Sequence, residues 1–180
     1  MKKYDIIYAD PPWYYPPRNP TKKFGKGVDS HYPLMKDEEI YSLPVSNYAN
    51  KNCALFLWVT GSRLDTGVET LHRWGFRFCT IAFTWIKQNP KSLTLFSGPG
   101  HYTKSNTELV LLGMKGSMPV DDKTVKQVLI APRAEHSRKP AEIRSRIEQL
   151  YNRPDKLELF ARTTTPGWDV WGNETDKYQE

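Results

Sequence analysis

An α/β fold with a mostly parallel sheet is what this sequence predicts, and three observations predict it. Seven short apolar runs recur along the chain, and several are nearly continuous, as in ALFLWV and LVLLG. Such runs are the pattern of strands covered on both faces. Stretches with helical spacing lie between some of them, and that alternation suits strands joined by crossover helices. The 180 residues are 38% hydrophobic and 26% charged, which is globular and excludes a disordered or collagen-like chain. Folding at this length hides roughly 68–72% of the unfolded chain's surface. One compact domain over residues 1–180 is therefore expected.

The strands are expected at Asp5–Ala9, Cys53–Thr60, Phe78–Lys87, Thr107–Met114, Lys126–Ala131, Lys156–Ala161 and Trp168–Gly172. Lys36–Leu43 is a short helical candidate stopped by Pro44. Leu64, Val68 and Leu71 stand at i, i+4 and i+7, the stripe of an amphipathic helix ending near Gly75. Ile143, Ile147 and Leu150 repeat the spacing after Pro140, whose fixed φ suits a first helical turn. Two long segments, Pro11–Ser30 and Gln88–Asn106, follow neither period. Structureless loops beyond about 12–15 residues inside a compact domain are usually functional or disordered, and both are candidates for mobile walls of a site.

Several function classes fall away at this level. No apolar run approaches the ~20 residues a bilayer crossing needs, and no signal peptide is evident. Cys53 and Cys79 both sit in apolar runs and read as buried thiols, the usage of a reducing cytoplasm. Four His and two Cys show no metal-ligand spacing. No GxGxxG is present, so a nicotinamide or flavin dinucleotide is not indicated. The net charge of +6 permits a polyanionic partner.

The chemistry concentrates in Asp10-Pro11-Pro12-Trp13, directly after the strand IIYA. Ligands of open α/β sheets bind outside the carboxyl ends of strands, where this tetrapeptide falls. Its residues suit methylation of an exocyclic amine on a base. The lone pair of such a nitrogen is delocalised into the ring, so the nitrogen is planar and a poor nucleophile. A carboxylate and a backbone carbonyl, each accepting one N–H, would pull it toward tetrahedral geometry. Two adjacent prolines fix φ and lack N–H groups, holding the Pro11 carbonyl outward as an acceptor. Trp13 supplies a flat face on which a base can stack, worth about 1–3 kcal/mol.

The tetrapeptide resembles the catalytic motif of amino-methyltransferases that use S-adenosylmethionine. The rest of the chain resembles the MT-A type, the adenine methyltransferases that include the eukaryotic mRNA adenosine methylase. The resemblance is carried by LFLWVTG (Leu55–Gly61), LHRWGF (Leu71–Phe76), TWIKQN (Thr84–Asn89) and GHYTKSNTELVLLGMKG (Gly100–Gly116). It continues through HSRKPAEI (His136–Ile143), LELFAR (Leu157–Arg162) and PGWDVWGNE (Pro166–Glu174). It implies a Rossmann-like methyltransferase fold in permuted order, with the catalytic strand before the cofactor-binding strand. By the same resemblance Glu158 holds the ribose hydroxyls of S-adenosylmethionine, with Phe160 beside the cofactor and Arg162 beyond it. Asn173 and Glu174 correspond to the pair at its adenine and ribose end. Lys139 corresponds to a lysine that reaches the methionine carboxylate, and Asp10 also accepts from the methionine ammonium. Thr164 and Thr165 fall where relatives line the cofactor.

A base inside a duplex is inaccessible, so such an enzyme flips its target or takes single strands. Arg18, Lys22 and Lys23 in the first long loop are candidates for phosphate contact, with Arg133, Arg138, Lys139, Arg144 and Arg146 as a second basic cluster. His101 and Tyr102 in the Gly-rich loop are candidates to close over the base. The chain resembles the small microbial and phage members that act on DNA adenine, and DNA is favoured over RNA. The alternatives are an RNA adenosine methyltransferase, or a non-catalytic subunit that holds nucleic acid for an active partner. A homo- or heterodimer is compatible with either.

Overall fold

The structure, a computed structural model, describes residues 2–15, 34–100, 102–134 and 138–172. Its seven strands are β1 (Tyr4–Ala9), β2 (Ala49–Val59), β3 (Arg77–Gln88), β4 (Thr107–Lys115), β5 (Val128–Pro132), β6 (Lys156–Leu159) and β7 (Asp169–Trp171). They form one sheet in the order β5-β3-β4-β2-β1-β6-β7. Each of the seven apolar runs is a strand, the largest displacement being the start of β2, at Ala49 rather than Cys53. The sheet is mixed. β1 pairs in parallel with β2 and β6, β6 with β7, and β3 with β5, whereas β4 is antiparallel to both β2 and β3. The reason is local: the chain returns from β3 to β4 without a crossover helix, and only an antiparallel pair can be joined that way.

Among the described residues three α-helices cover the sheet: α1 (Asp37–Tyr41), α2 (Leu64–Arg73) and α3 (Glu142–Leu150). In β2, Leu55, Leu57 and Val59 pack toward α1 and α2, while Ala54, Phe56 and Trp58 join the opposite core with Ile143 and Ile147 of α3. Both faces are dry, which is why the run is continuous rather than alternating. The buried face of α2 differs from the expected stripe. Leu64 is exposed and Val68 only half-buried, and the helix instead turns Thr66, Gly67, Thr70 and Leu71 inward. Gly67 permits this: a Cβ there would stand 2.4 Å from Val59 Cγ1 and 3.0 Å from Leu111 Cδ1. The helix therefore lies closer to the sheet than a leucine contact allows. Trp74, just beyond α2, donates its indole N–H to the Ile40 carbonyl at 2.8 Å and ties α1 to this face.

Two further expectations are corrected. Cys53 is buried, and burial, with Asp5 nearby, pushes its thiol up to about 12, but Cys79 is only half-buried. Residues 77–83 of β3 precede the stretch that pairs with β5, so Cys79 lies on an open sheet border. The segment Gln88–Asn106 is not without structure. Antiparallel bridges Gln88↔Leu95 and Gly98↔Ser105 fold its described residues into a two-turn arm. Among the described residues no helix is long and apolar enough to cross a membrane.

β1 has β2 on one side and β6 on the other, so the chain reverses its direction of winding about it. The crevice beyond its carboxyl end is where an open α/β sheet binds ligands.

Candidate active site

Asp10 leaves the sheet at this crevice, and the three residues after it make a tight turn. The Trp13 N–H donates to the Pro11 carbonyl at 2.9 Å, closing a three-residue loop. The Pro11 oxygen is therefore not the free acceptor that the prolines alone suggest; it offers only its second lone pair. The Pro12 carbonyl accepts from Met35 N–H at 2.8 Å, and Met35 in turn accepts from Tyr14 N–H at 3.0 Å. This short bridge pins the motif beside α1.

Two open clefts meet at Asp10. The first, about 490 Å³ with its mouth, is lined by Tyr8, Arg138, Glu158, Phe160 and Thr163. The second, about 710 Å³ with its mouth, is lined by Pro11, Trp13, Tyr15, Trp58 and Glu108. Asp10, Lys139 and Arg162 line both.

Lys139 stands at the junction, its Nζ 2.9 Å from Asp10 Oδ2 and 3.2 Å from Glu108 Oε2. Glu108 also pairs with Lys87 at the end of β3. Burial alone would discharge Lys139, yet Asp10 and Glu108 together outweigh it and raise the ammonium's pKa further. Glu108 answers in the same way: burial favours its neutral form, but Lys139 and Lys87 hold it below the ordinary carboxylate range. The four groups form a compact, charge-balanced cluster. Asp10 keeps Oδ1 unengaged by any described residue, so its carboxylate is an anchored acceptor with one oxygen to spare.

On the first side, Glu158 in β6 is 2.9 Å from Arg144 Nη1 of α3, both side chains 12% exposed. The pairing supplies the compensation that a buried glutamate needs. Phe160 follows at a positive φ of 60°, a left-handed conformation disfavoured for an aromatic residue and typical of constrained sites. Its neighbourhood is tight: at Gly172 a Cβ would stand 2.4 Å from the Ala161 carbonyl oxygen, and the Trp171 ring meets Phe160 edge-on at 5.5 Å. Thr163 lines the cleft, whereas Thr164 and Thr165 line neither.

The second side is aromatic. Trp58 donates its indole N–H to Tyr8 Oη at 2.6 Å, and Lys139 Nζ lies 5.4 Å from its ring centroid. Trp13 donates to the Trp58 carbonyl at 3.0 Å and is 5% exposed. It is thus a fixed wall of the cleft rather than the open stacking face expected of it. Arg63 lies 5.8 Å from its ring centroid.

The second basic cluster does not form one phosphate-facing surface. Lys139 and Arg144 are held as described, and Arg146 pairs with Glu142 while capping the Lys126 and Val128 carbonyls at 2.6 and 2.8 Å. Arg133 is exposed, stacked at 3.6 Å on the Phe96 ring. Tyr102 is exposed and lines neither cleft. Arg18, Lys22, Lys23, His101, Asn173 and Glu174 lie outside the described residues.

The MT-A70 family model matches residues 4–174, nearly the whole chain. The chain belongs to the MT-A70 family. A type II methyltransferase from a Mycoplasma species, M.MunI, is 35% identical over 96% of this chain and 78% of its own length. A putative N(6)-adenosine-methyltransferase of Medicago truncatula is 34% identical over 97% of the chain but only 27% of its own. The human N(6)-adenosine-methyltransferase catalytic subunit METTL3 is 30% identical over 98% and 29%. The chain thus spans under a third of these two eukaryotic relatives. MT-A70 methyltransferases use S-adenosylmethionine, and the first cleft fits its chemistry: Lys139 and Arg138 suit a carboxylate, Asp10 an ammonium, and Glu158 a ribose diol. Among the described residues no three His, Cys, Asp or Glu converge as a metal site.

Proposed function

We propose that this protein transfers a methyl group from S-adenosylmethionine to the exocyclic N6 of adenine in DNA. The observation that carries the reading is the position of Asp10, whose carboxylate lines a charged cleft and an aromatic cleft at once. The charged cleft is the donor side, with Lys139, Glu158 and Phe160 as the residues that hold the cofactor. Bound there, S-adenosylmethionine would supply a sulfonium methyl: the N6 lone pair takes the carbon as the carbon–sulfur bond breaks toward sulfur, the thioether product leaves, and the surplus N6 proton departs along its hydrogen bond to Asp10. The aromatic cleft is the acceptor side, where Trp13 and Trp58 confine the base edge. Asp10 Oδ1 accepts one N6–H and the second lone pair of the Pro11 carbonyl accepts the other, which withdraws the amine from conjugation. Lys139 holds Oδ2, so the carboxylate meets the base without reorganising.

DNA is preferred because the relative of which the chain covers 78% is a type II methyltransferase, a designation that favours DNA. The N(6)-adenosine-methyltransferase names of the eukaryotic relatives favour RNA, but the chain covers less than a third of the two quoted. The net charge of +6 suits either polyanion. We also place the protein in the cytoplasm, where its free thiols Cys53 and Cys79 would stay reduced. Mass spectrometry of nucleosides after incubating the purified chain and cofactor with DNA and RNA decides the substrate. N6-methyladenine in the DNA digest is expected. Methylation confined to RNA, or none in either, overturns the reading.

A further inference from the structure

The 89–106 arm rises from the border that holds the acceptor cleft, because Lys87 and Glu108, which pair at its root, directly flank Gln88 and Thr107. It is tightly built. Asn89 N–H donates to Thr94 O at 2.8 Å, Phe96 N–H to Lys87 O at 2.8 Å and Gly98 N–H to Ser105 O at 2.9 Å. The Gln88 amide donates to Leu93 O at 2.7 Å. This bracing holds Leu93 at a φ of 55°, an uncommon backbone state for a leucine. Leu93 and Leu95 are 58% and 57% exposed. Bracing that presents aliphatic side chains to water, at a backbone cost, asks for a partner surface.

The charge on the arm says which kind. Residues 89–106 contain Lys91 and Lys104 and no Asp or Glu. Arg133 packs against the arm, its N–H donating to Gln88 O at 3.1 Å and its guanidinium stacked on Phe96. A guanidinium flattened on a ring keeps its N–H edge for a phosphate. Apolar side chains flanked only by cations match a base pair between two phosphate strands, the combination used by wedges that kink or open a duplex.

We propose that the 89–106 arm engages double-stranded nucleic acid beside the extruded adenine. Leu93 and Leu95 form an apolar wedge against the neighbouring base pair, and Lys91, Lys104 and Arg133 meet the flanking phosphates. The proposal rests on the function proposed above, and two measurements on the full chain separate the fates of the two readings. In the first, fluorescence anisotropy follows binding to a mixed-sequence DNA duplex across salt concentrations. Replacing Lys91 and Lys104 together by Ala should reduce the log-log salt slope by about 2, while L93A/L95A leaves the slope unchanged. In the second, methyl transfer is timed on a paired duplex, the same duplex with the target adenine mismatched, and the single strand. L93A/L95A should lose about tenfold on the paired duplex only, where the cost of opening falls on the protein, and stay within about twofold on the others.

An unchanged salt slope in the lysine variant overturns the proposal. So does an equal loss, or no loss, of the leucine variant on all three substrates. A leucine variant that binds duplex normally but changes from dimer to monomer in sedimentation makes the arm a protein interface instead. A wild-type chain that methylates no DNA sinks the proposed function, yet the salt slopes still decide the arm.

Discussion

The two clefts, which the proposed function makes the donor and acceptor sides, share Asp10, Lys139 and Arg162 but are otherwise built from different material. The donor side rests on ion pairs whose members come from separate elements, Glu158 of β6 with Arg144 of α3 and Asp10 just after β1 with Lys139 before α3. The acceptor side rests on indoles buried in the core, Trp13 and Trp58, joined by hydrogen bonds at their N–H groups. A charged small molecule with a diol needs point charges, whereas a purine needs flat apolar walls. The difference teaches that damage to the two sides should be distinguishable: charge changes should act on cofactor affinity, and aromatic changes on stability and base engagement together.

Trp13→Ala is expected to break the acceptor side most severely. It empties a buried indole site, which costs about 3–5 kcal/mol. Trp13→Phe keeps most of the volume and loses the bond to the Trp58 carbonyl, about 0.5–1.5 kcal/mol. Urea titrations of both variants check the ratio; equal and small losses would show that Trp13 is not part of the core. Next comes Asp10→Ala, which should lower kcat by at least about 100-fold, as expected on removing a preorganised polar contact to the transition state. Its fold should survive, since the side chain is partly exposed. Near-normal turnover would remove Asp10 from the chemistry.

Glu158→Gln sharpens the contrast on the donor side. The KM for S-adenosylmethionine should rise by about tenfold, the scale of one charged hydrogen bond, while the KM for nucleic acid stays put. A rise in the second and not the first would exchange the assignments of the clefts. The smallest effect is expected from pH. The pKa of Glu108 is lowered in the folded state, so its contribution is present above the ordinary carboxylate value of 4.5 and disappears as pH falls through the lowered one. Lys139 has the opposite sign: its pKa is raised, so its contribution holds below the ordinary 10.5 and disappears as pH rises through the raised value. Thermal melts should show Glu108→Gln less stable than the wild type at pH 7, with the gap closing well below pH 4.5. A constant gap would mean that Glu108 acts through shape and not charge.

Much of this was legible in the residues. The seven strands were, because apolar runs report burial directly, and the motif at the end of β1 was, because proline and tryptophan are rare in such a setting. Other features were not. The antiparallel course of β4 depends on how a connection is made, which periodicity does not encode. The inward face of α2 departs from the leucine stripe because leucine marks hydrophobicity, while close approach to the sheet requires Gly67 and tolerates Thr66 and Thr70. Neither periodicity nor motif singles out Glu108 and Lys87, although they lie in the segments that carry the family resemblance. Their meaning comes from β3 and β4 standing side by side, which pairs Lys87 with Glu108, and from Lys139 reaching Glu108 from a distant part of the sequence. A glutamate opening the otherwise apolar LVLLG strand was the available signal. The turn at Trp13 is likewise not encoded in residue type, since its N–H closes on Pro11 through the backbone alone.

The central claim is that one carboxylate serves both clefts. A crystal structure of the chain with an unreactive cofactor analogue and an adenine-containing oligonucleotide tests it most directly. The account predicts the Asp10 carboxylate within hydrogen-bonding distance, about 2.7–3.2 Å, of both the N6 amine and the ammonium of the cofactor. An Asp10 side chain turned to solvent, with the amine held by other groups, would contradict it.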